Sequence, residues 1–273
     1  MTSEAVATER AVPRWTRLEA LGLVMAAVGP LLMFAAGALF GLDLDAFAIF
    51  LIVPAVVAVV AAFLVVRFGT WAKIVGAVVA LLVGFLLWWT AFGLQSPQSF
   101  FDFLPGLLVV PGVLIAIVSG IASVVAKRRG RFSERATGGE RTWIRAITGV
   151  VALLAVLSGI LTATGRSSAD QATADASVLA KDFEFDQLEY TVAGGSSVFV
   201  RNDDPFLHTF TIDELTIDEV LTPGDEVLIT IPSKPGTYIM YCTPHSDPDD
   251  PEVPKSLTSD DDEGDMAARF IVT

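Results

Sequence analysis

Five long apolar runs constrain this chain before any other feature does. They cover roughly residues 18–40, 46–66, 71–92, 100–125 and 143–164. Each is close to or above the about 20 residues that a helix needs to cross the hydrocarbon core of a bilayer. A helix satisfies every backbone group locally in that core, so the pattern predicts five transmembrane helices. The runs contain no His and no central Asp, Glu, Lys or Arg; Glu19, Asp102 and Arg145 sit near their ends. A bis-histidine haem is thereby excluded, and a proton relay or ion pathway is disfavoured. The expected role is a multi-helix anchor or partner-binding scaffold. Gly- and Ala-rich faces such as 76–80 read as helix packing, and Trp88, Trp89 and Trp143 as interface anchors.

Lys and Arg surround these runs unevenly. Arg10, Arg14 and Arg17 precede the first; Arg67 lies between the second and third, and Lys73 at the start of the third. Lys127, Arg128, Arg129, Arg131, Arg135 and Arg141 lie between the fourth and fifth, with Arg145 at the start of the fifth, whereas the loops at 41–45 and 93–98 carry neither residue. The positive-inside rule puts the N-terminus in the cytoplasm and everything after Thr164 outside the membrane. The first run is too long for the apolar part of a usual signal peptide, and no small-residue cleavage site follows before the second run, so it reads as a retained helix. The expected organisation is a cytoplasmic tail at 1–17, a helical membrane domain at 18–164, a linker at 165–177 and a final domain at 178–273.

Composition changes after the fifth run. Residues 1–164 carry 12 Lys+Arg against 8 Asp+Glu, while residues 165–273 carry 6 against 23. An acidic half repels phosphates, which argues against nucleic acid as a partner. Short β-type runs follow the linker, at 178–185, 188–192, 197–201, 208–212, 226–231, 237–242 and 267–272. Turns marked by Asp203-Asp204-Pro205, Pro223-Gly224-Asp225 and Lys234-Pro235-Gly236 separate several of them. Many short strands at this spacing predict an all-β sandwich or barrel.

The chain has two His and one Cys, and all three fall in this last part. In Tyr241-Cys242-Thr243-Pro244-His245 a strand ends at a thiol and an imidazole follows three positions later. Upstream, a loop becomes a strand at His208; downstream, Met266 opens the final strand. Two imidazoles, one thiolate and a weak axial thioether form a ligand set suited to a copper electron-transfer site. Thiolate stabilises both copper oxidation states, imidazole suits both, and a long axial thioether tunes the potential. Met240 is the weaker competitor for the axial position and is expected to pack in the core. A buried structural thiol is the bland alternative for Cys242, and zinc a less suited metal.

Residues 178–273 resemble the cupredoxins, the type I (blue) copper proteins of the plastocyanin and pseudoazurin kind. Cys242-Thr243-Pro244-His245 resembles their ligand loop, Leu188–Val200 their paired strands before the first ligand His, Pro235-Gly236-Thr237-Tyr238 the approach to the Cys strand, and 266–272 the axial Met with its last strand. The resemblance implies a Greek-key β-sandwich and one-electron transfer through one copper ion held by His208, Cys242, His245 and Met266. The sequence departs from the family at 246–265, an acidic, Pro-rich insertion between His245 and Met266.

The expectation is therefore an integral membrane protein with an extracytoplasmic copper domain, acting as an electron carrier rather than a substrate-converting enzyme. Copper acquisition, storage or delivery is the alternative, and a metal-free interaction module the third reading. The acidic insertion reads as a solvated charge run or as a steering surface for a basic redox partner such as a c-type cytochrome. Phe206, Leu207 and Pro244 flank the ligands and would either form an apolar patch for electron entry or shield the metal. Oligomeric state is not encoded in any motif.

Overall fold

A computed structural model describes residues 13–40, 45–129, 138–255 and 265–273. Arg10, the 41–44 loop, Arg131 and Arg135 of the basic loop, and 256–264 of the acidic insertion lie outside the described residues. The chain clusters into two compact units; the second takes in Gln95–Phe103 and Ala155–Thr273.

The helices are α1 (Arg14–Phe40), α2 (Asp45–Arg67), α3 (Thr70–Leu86), α4 (Phe100–Arg128) and α5 (Gly138–Thr164); they make up the first unit, except that 35–40 of α1, 100–103 of α4 and 155–164 of α5 group with the second. Four of them are long and apolar enough to cross a membrane, or five spans if α3 is joined to the 3-10 helix Trp88–Gln95, which bends from it by 61°. The third expected span is thus not one straight helix. Leu87 leaves helical geometry, and its carbonyl accepts from Thr90 N (3.0 Å) and Thr90 Oγ1 (2.7 Å). Gly106 of α4 accommodates the break, since a Cβ there would collide with the Thr90 carbonyl oxygen. Helix packing follows small residues. A Cβ on Gly22 of α1 would lie 2.5 Å from the Gly112 carbonyl oxygen of α4 and 2.6 Å from Ala116 N. The pairs Gly22/Ala26 and Gly112/Ala116 form a small-xxx-small crossing on each helix, which lets the two backbones touch. Gly76 and Ala80 of α3 are likewise buried.

Two charged residues of the helices are buried. Lys73 lies inside the first turn of α3, 2% exposed, where its Nζ donates to the Val65 carbonyl at the end of α2 (3.2 Å). Glu19 is fully buried, facing Gly76 and Gly120. Helices α2 and α3 are joined by only two residues, so a lysine four positions into the second can still reach the last carbonyls of the first.

The second unit is a β-sandwich. Its strands are β1 (Ala176–Lys181), β2 (Glu184–Phe185), β3 (Glu189–Val192), β4 (Ser197–Asn202), β5 (His208–Ile212), β6 (Ile217–Leu221), β7 (Glu226–Thr230), β8 (Gly236–Tyr241) and β9 (Ala267–Val272). One sheet has the order β2-β1-β4-β7, the other β3-β9-β8-β5-β6. The pairs β1/β4 and β3/β9 are parallel, the rest antiparallel. Alternating side chains of both sheets meet in one core that includes Val178, Val200, Phe210, Ile212, Met240 and Phe270. Such a core holds the inner faces together mainly by removing apolar surface from water. Gly224 (φ 79°) sits in the turn closed by Asp225 N to Thr222 O (2.9 Å), a backbone conformation that a side chain would strain.

The expected single strand at 178–185 is broken into β1 and β2, because Asp182 and Phe183 take positive φ (56° and 61°) and turn the chain back. Strand β6 was not anticipated: its middle residues, Asp218, Glu219 and Val220, are all exposed, and two carboxylates mask the alternation. The 165–177 segment, expected as a linker, is hydrogen-bonded to the sandwich: Ser167 N donates to Asp225 Oδ1 (2.6 Å), Ala169 N to Glu226 O (3.0 Å) and Asp175 N to Ser197 O (2.8 Å).

Candidate metal centre

Three ligand-type residues converge at one end of the sandwich. Strand β5 opens with His208, which shares a face with Phe210 and Ile212 because strand side chains alternate. Cys242 follows the last residue of β8, the strand next to β5 in the sheet. A 3-10 turn, Thr243–His245, then brings His245 back, closed by His245 N donating to Cys242 O (3.0 Å). Pro244 lies within this turn, where its fixed φ suits the geometry. His208 and Cys242 are fully buried and His245 is half-buried.

The ligand atoms form a nearly equilateral triangle. His208 Nδ1 lies 3.1 Å from His245 Nδ1, and Cys242 Sγ lies 3.5 Å and 3.3 Å from those two atoms. Those sides define a point about 1.9 Å from all three corners, close to the length of a metal–imidazole bond of about 2.0–2.1 Å and somewhat under that of a metal–thiolate bond. The residues therefore fit a three-coordinate metal plane. Thr209 N donates to Cys242 Sγ (3.3 Å), which favours the sulfur as an anion. Thr209 Oγ1 accepts from Thr243 N (2.9 Å) and ties the ligand turn to β5.

Met266 is drawn to the same place despite the 20 residues between it and His245. Its N–H donates to His245 O (3.1 Å), and its own carbonyl accepts from Cys242 N (2.9 Å) and Ser246 Oγ (3.0 Å). The insertion thus leaves and re-enters at one point. Met266 is buried in the core cluster that contains Cys242; Met240 is fully buried in that cluster, as its strand position suggests.

Electrostatics pair the thiol with its neighbours. Burial alone would raise the Cys242 pKa, but His245 and the hydrogen bond to His208 outweigh it and bring it down to about 6. Burial alone would lower that of His208, but its hydrogen bonds to Asp204 and Cys242 outweigh burial and lift it to about 9. Asp204 is held below the usual carboxylate range: burial opposes this, and the bond from His208 prevails.

Three surrounding residues escaped the sequence reading. Asp204, read only as part of a turn, accepts from His208 Nε2 at 2.7 Å with both side chains buried. Asn202 holds the loop through Nδ2, which donates to Phe206 O (2.8 Å) and Leu221 O (2.9 Å). Phe183 lies edge-on to both imidazoles, at 5.0 Å from His245 and 5.8 Å from His208 between ring centroids, and stacks on Phe206 at 5.4 Å. An Asp four residues before a ligand His was the one available signal for Asp204. Phe206 is buried, Leu207 half-buried and Pro244 exposed. Leu207 N donates to Asp102 Oδ2 (2.8 Å), within the same unit.

A family model for the cupredoxin-like domain matches residues 150–250. This region is a cupredoxin-like domain. The match takes in His208, Cys242 and His245 and stops before Met266 and β9. Solved structures similar to the chain include a purple cupredoxin from Nitrosopumilus maritimus, at 17% identity over 36% of this chain and 100% of that one, with a TM-score of 0.26. The periplasmic domain of cytochrome oxidase subunit II from Bradyrhizobium japonicum is 14% identical over 37% of this chain and 85% of that one (TM-score 0.25). The copper-containing nitrite reductase from Thermus scotoductus is 19% identical over 41% of this chain and 26% of that one (TM-score 0.27). No curated protein matches the chain at a significant level. The cupredoxin-like fold implies copper, and the donor set of the domain, two imidazoles and a thiol, is of the type that copper electron-transfer sites use.

Proposed function

We propose that this protein is a membrane-anchored blue copper protein that carries single electrons between redox partners outside the cytoplasm. The supporting observation is the triangle of His208 Nδ1, His245 Nδ1 and Cys242 Sγ, with sides of 3.1–3.5 Å, at the buried end of a cupredoxin-like sandwich. Copper bound there would supply a one-electron Cu(I)/Cu(II) couple. Cys242 contributes a thiolate, steadied by the Thr209 N–H. His208 and His245 contribute neutral imidazoles, and Met266, held by its backbone beside both Cys242 and His245, is the axial candidate. Ligands fixed on β5, β8 and a short closed turn resist rearrangement, which keeps electron transfer fast. A single site filled by protein ligands leaves no place for substrate, so the role is that of a carrier rather than an enzyme. Half-buried His245 is the ligand nearest solvent and the reasonable route for electrons.

The test uses the full chain in detergent micelles, loaded with Cu(II). The expected result is an intense blue colour, bleached reversibly by ascorbate and absent in Cys242→Ser. A colourless product that passes its copper to another protein without reversible redox behaviour would instead establish a delivery role.

A further inference from the structure

Asp204 stands at the centre of a buried network that no ligand assignment includes. Its residue is 2% exposed, and its carboxylate meets three donors. Oδ2 receives His208 Nε2 (2.7 Å) and Phe183 N (3.0 Å), and Oδ1 receives Asp182 N (2.8 Å). Its own N–H donates to Asn202 Oδ1 (2.9 Å), and Asn202 is fixed in turn by two backbone carbonyls. The carboxylate therefore has little freedom to turn away from His208.

Two consequences follow from this geometry. The bond to Nε2 leaves Nδ1 as the nitrogen that faces Cys242 and His245, so Asp204 selects the ligating atom and fixes the ring plane. The same carboxylate holds the Asp182-Phe183 turn, where two non-glycine residues adopt left-handed φ (56° and 61°), a conformation that L side chains disfavour. That turn sets the Phe183 ring against both imidazoles. One side chain thus couples ligand orientation to the aromatic cover of the site. It also places a negative charge one imidazole away from the metal position, in surroundings with little water to screen it.

We infer that Asp204 is a positioning residue for the copper centre, orienting His208 through Nε2 and lowering the reduction potential by favouring Cu(II). This rests on the copper reading above. A carboxylate hydrogen-bonded to a ligating imidazole raises ligand basicity, and loss of such a partner typically costs about 10–100-fold in metal affinity.

The test compares wild type, Asp204→Asn and Asp203→Asn as full chains in detergent. Asn is close in size, and its one oxygen can still accept from His208 Nε2 and Phe183 N, so it removes the charge together with the single bond from Asp182 N. Asp203 is exposed and pairs with Arg201, which makes it a control of equal charge change. Asp204→Asn is expected to stay blue, to bind Cu(II) about 10–100-fold more weakly, and to shift the ratio of Cu(II) to Cu(I) affinity at least about tenfold toward Cu(I). That ratio change corresponds to a potential raised by about 59 mV for one electron. Asp203→Asn should match wild type. Potential and affinity equal to wild type in Asp204→Asn would overturn the inference and leave the copper reading intact; a wild type that never turns blue would defeat the reading itself. Should Asp204→Asn fail to fold, the wild-type Cu(I) chain carries the test. With two His in the chain, nitrogen-15 NMR should show His208 protonated at Nε2 with a slowly exchanging, strongly deshielded proton. A His208 protonated at Nδ1, or an Nε2 proton exchanging freely with water, would overturn the inference.

Discussion

Proton inventory at Cys242 and His208 decides how the site takes up metal. Copper needs a thiolate and a free Nδ1 lone pair. In the metal-free fold the neighbouring imidazoles bring the Cys242 pKa down to about 6, and Asp204 and Cys242 lift that of His208 to about 9. Between those values the sulfur is already an anion, while the His208 imidazole still carries the proton that metal must displace. Apparent Cu(II) affinity should therefore rise about tenfold per pH unit from about 6 to 9. It should level off above, where His208 is already neutral, and steepen below, where the thiol too must lose its proton. Calorimetry at pH 7.5 in two buffers of different ionisation enthalpy should count about one proton released per copper from this pair. No release would mean that Asp204 fails to hold His208 protonated in the metal-free protein. At this scale the three residues that converge were legible in the sequence because His and Cys are so scarce that position alone singled them out as candidate ligands. Asp204 was not legible: the second half contains 23 acidic residues, and only the fold shows which one is buried against an imidazole.

At the scale of elements, strands with clean alternation could be read directly. Strand β5 coincides with its expected bounds, and β4, β7, β8 and β9 differ from theirs by a residue or so at most. The errors arose where tertiary contacts override local pattern. Strand β6 survives its exposed acids because all five of its residues pair with β5. The β1–β2 turn exists because the Asp204 carboxylate supplies acceptors to two strained N–H groups. The 246–265 insertion is tolerable for a similar reason. Met266 is fixed by bonds to Cys242, His245 and Ser246, none of which involves the insertion beyond its first residue. Replacing 249–263 by Gly-Gly should thus preserve the blue spectrum, and the shorter loop should add about 1 kcal/mol to the stability of the metal-free domain through loop-closure entropy. The changes are read from the visible absorption band and a thermal melt. Bleaching on shortening would show that the insertion, not the three backbone contacts, holds Met266 in place.

At the scale of the whole molecule, the two halves are distinguished by charge and by what they pack with. The helical part carries its Lys and Arg in the N-terminal segment and around two of its four loops, and its interior uses Gly and Ala to bring backbones together. The β part carries 6 basic against 23 acidic residues and encloses an ordinary aliphatic and aromatic core. Burial of Lys73 in α3 removes one of the charges from the orientation argument. The bias survives without it, because Lys127, Arg128 and Arg129 at the end of α4 and Arg14 and Arg17 at the start of α1 still fall on the side expected to be cytoplasmic. The positive-inside rule predicts Asp249 in the extracytoplasmic space and Lys127 in the cytoplasm. In a Cys242→Ser background, the single thiol of Asp249→Cys should react with a membrane-impermeant maleimide on intact cells, and that of Lys127→Cys only after lysis. Both residues are exposed, so access within the fold does not limit labelling. The reverse labelling pattern would put the copper site on the cytoplasmic side and remove extracytoplasmic redox proteins as its partners.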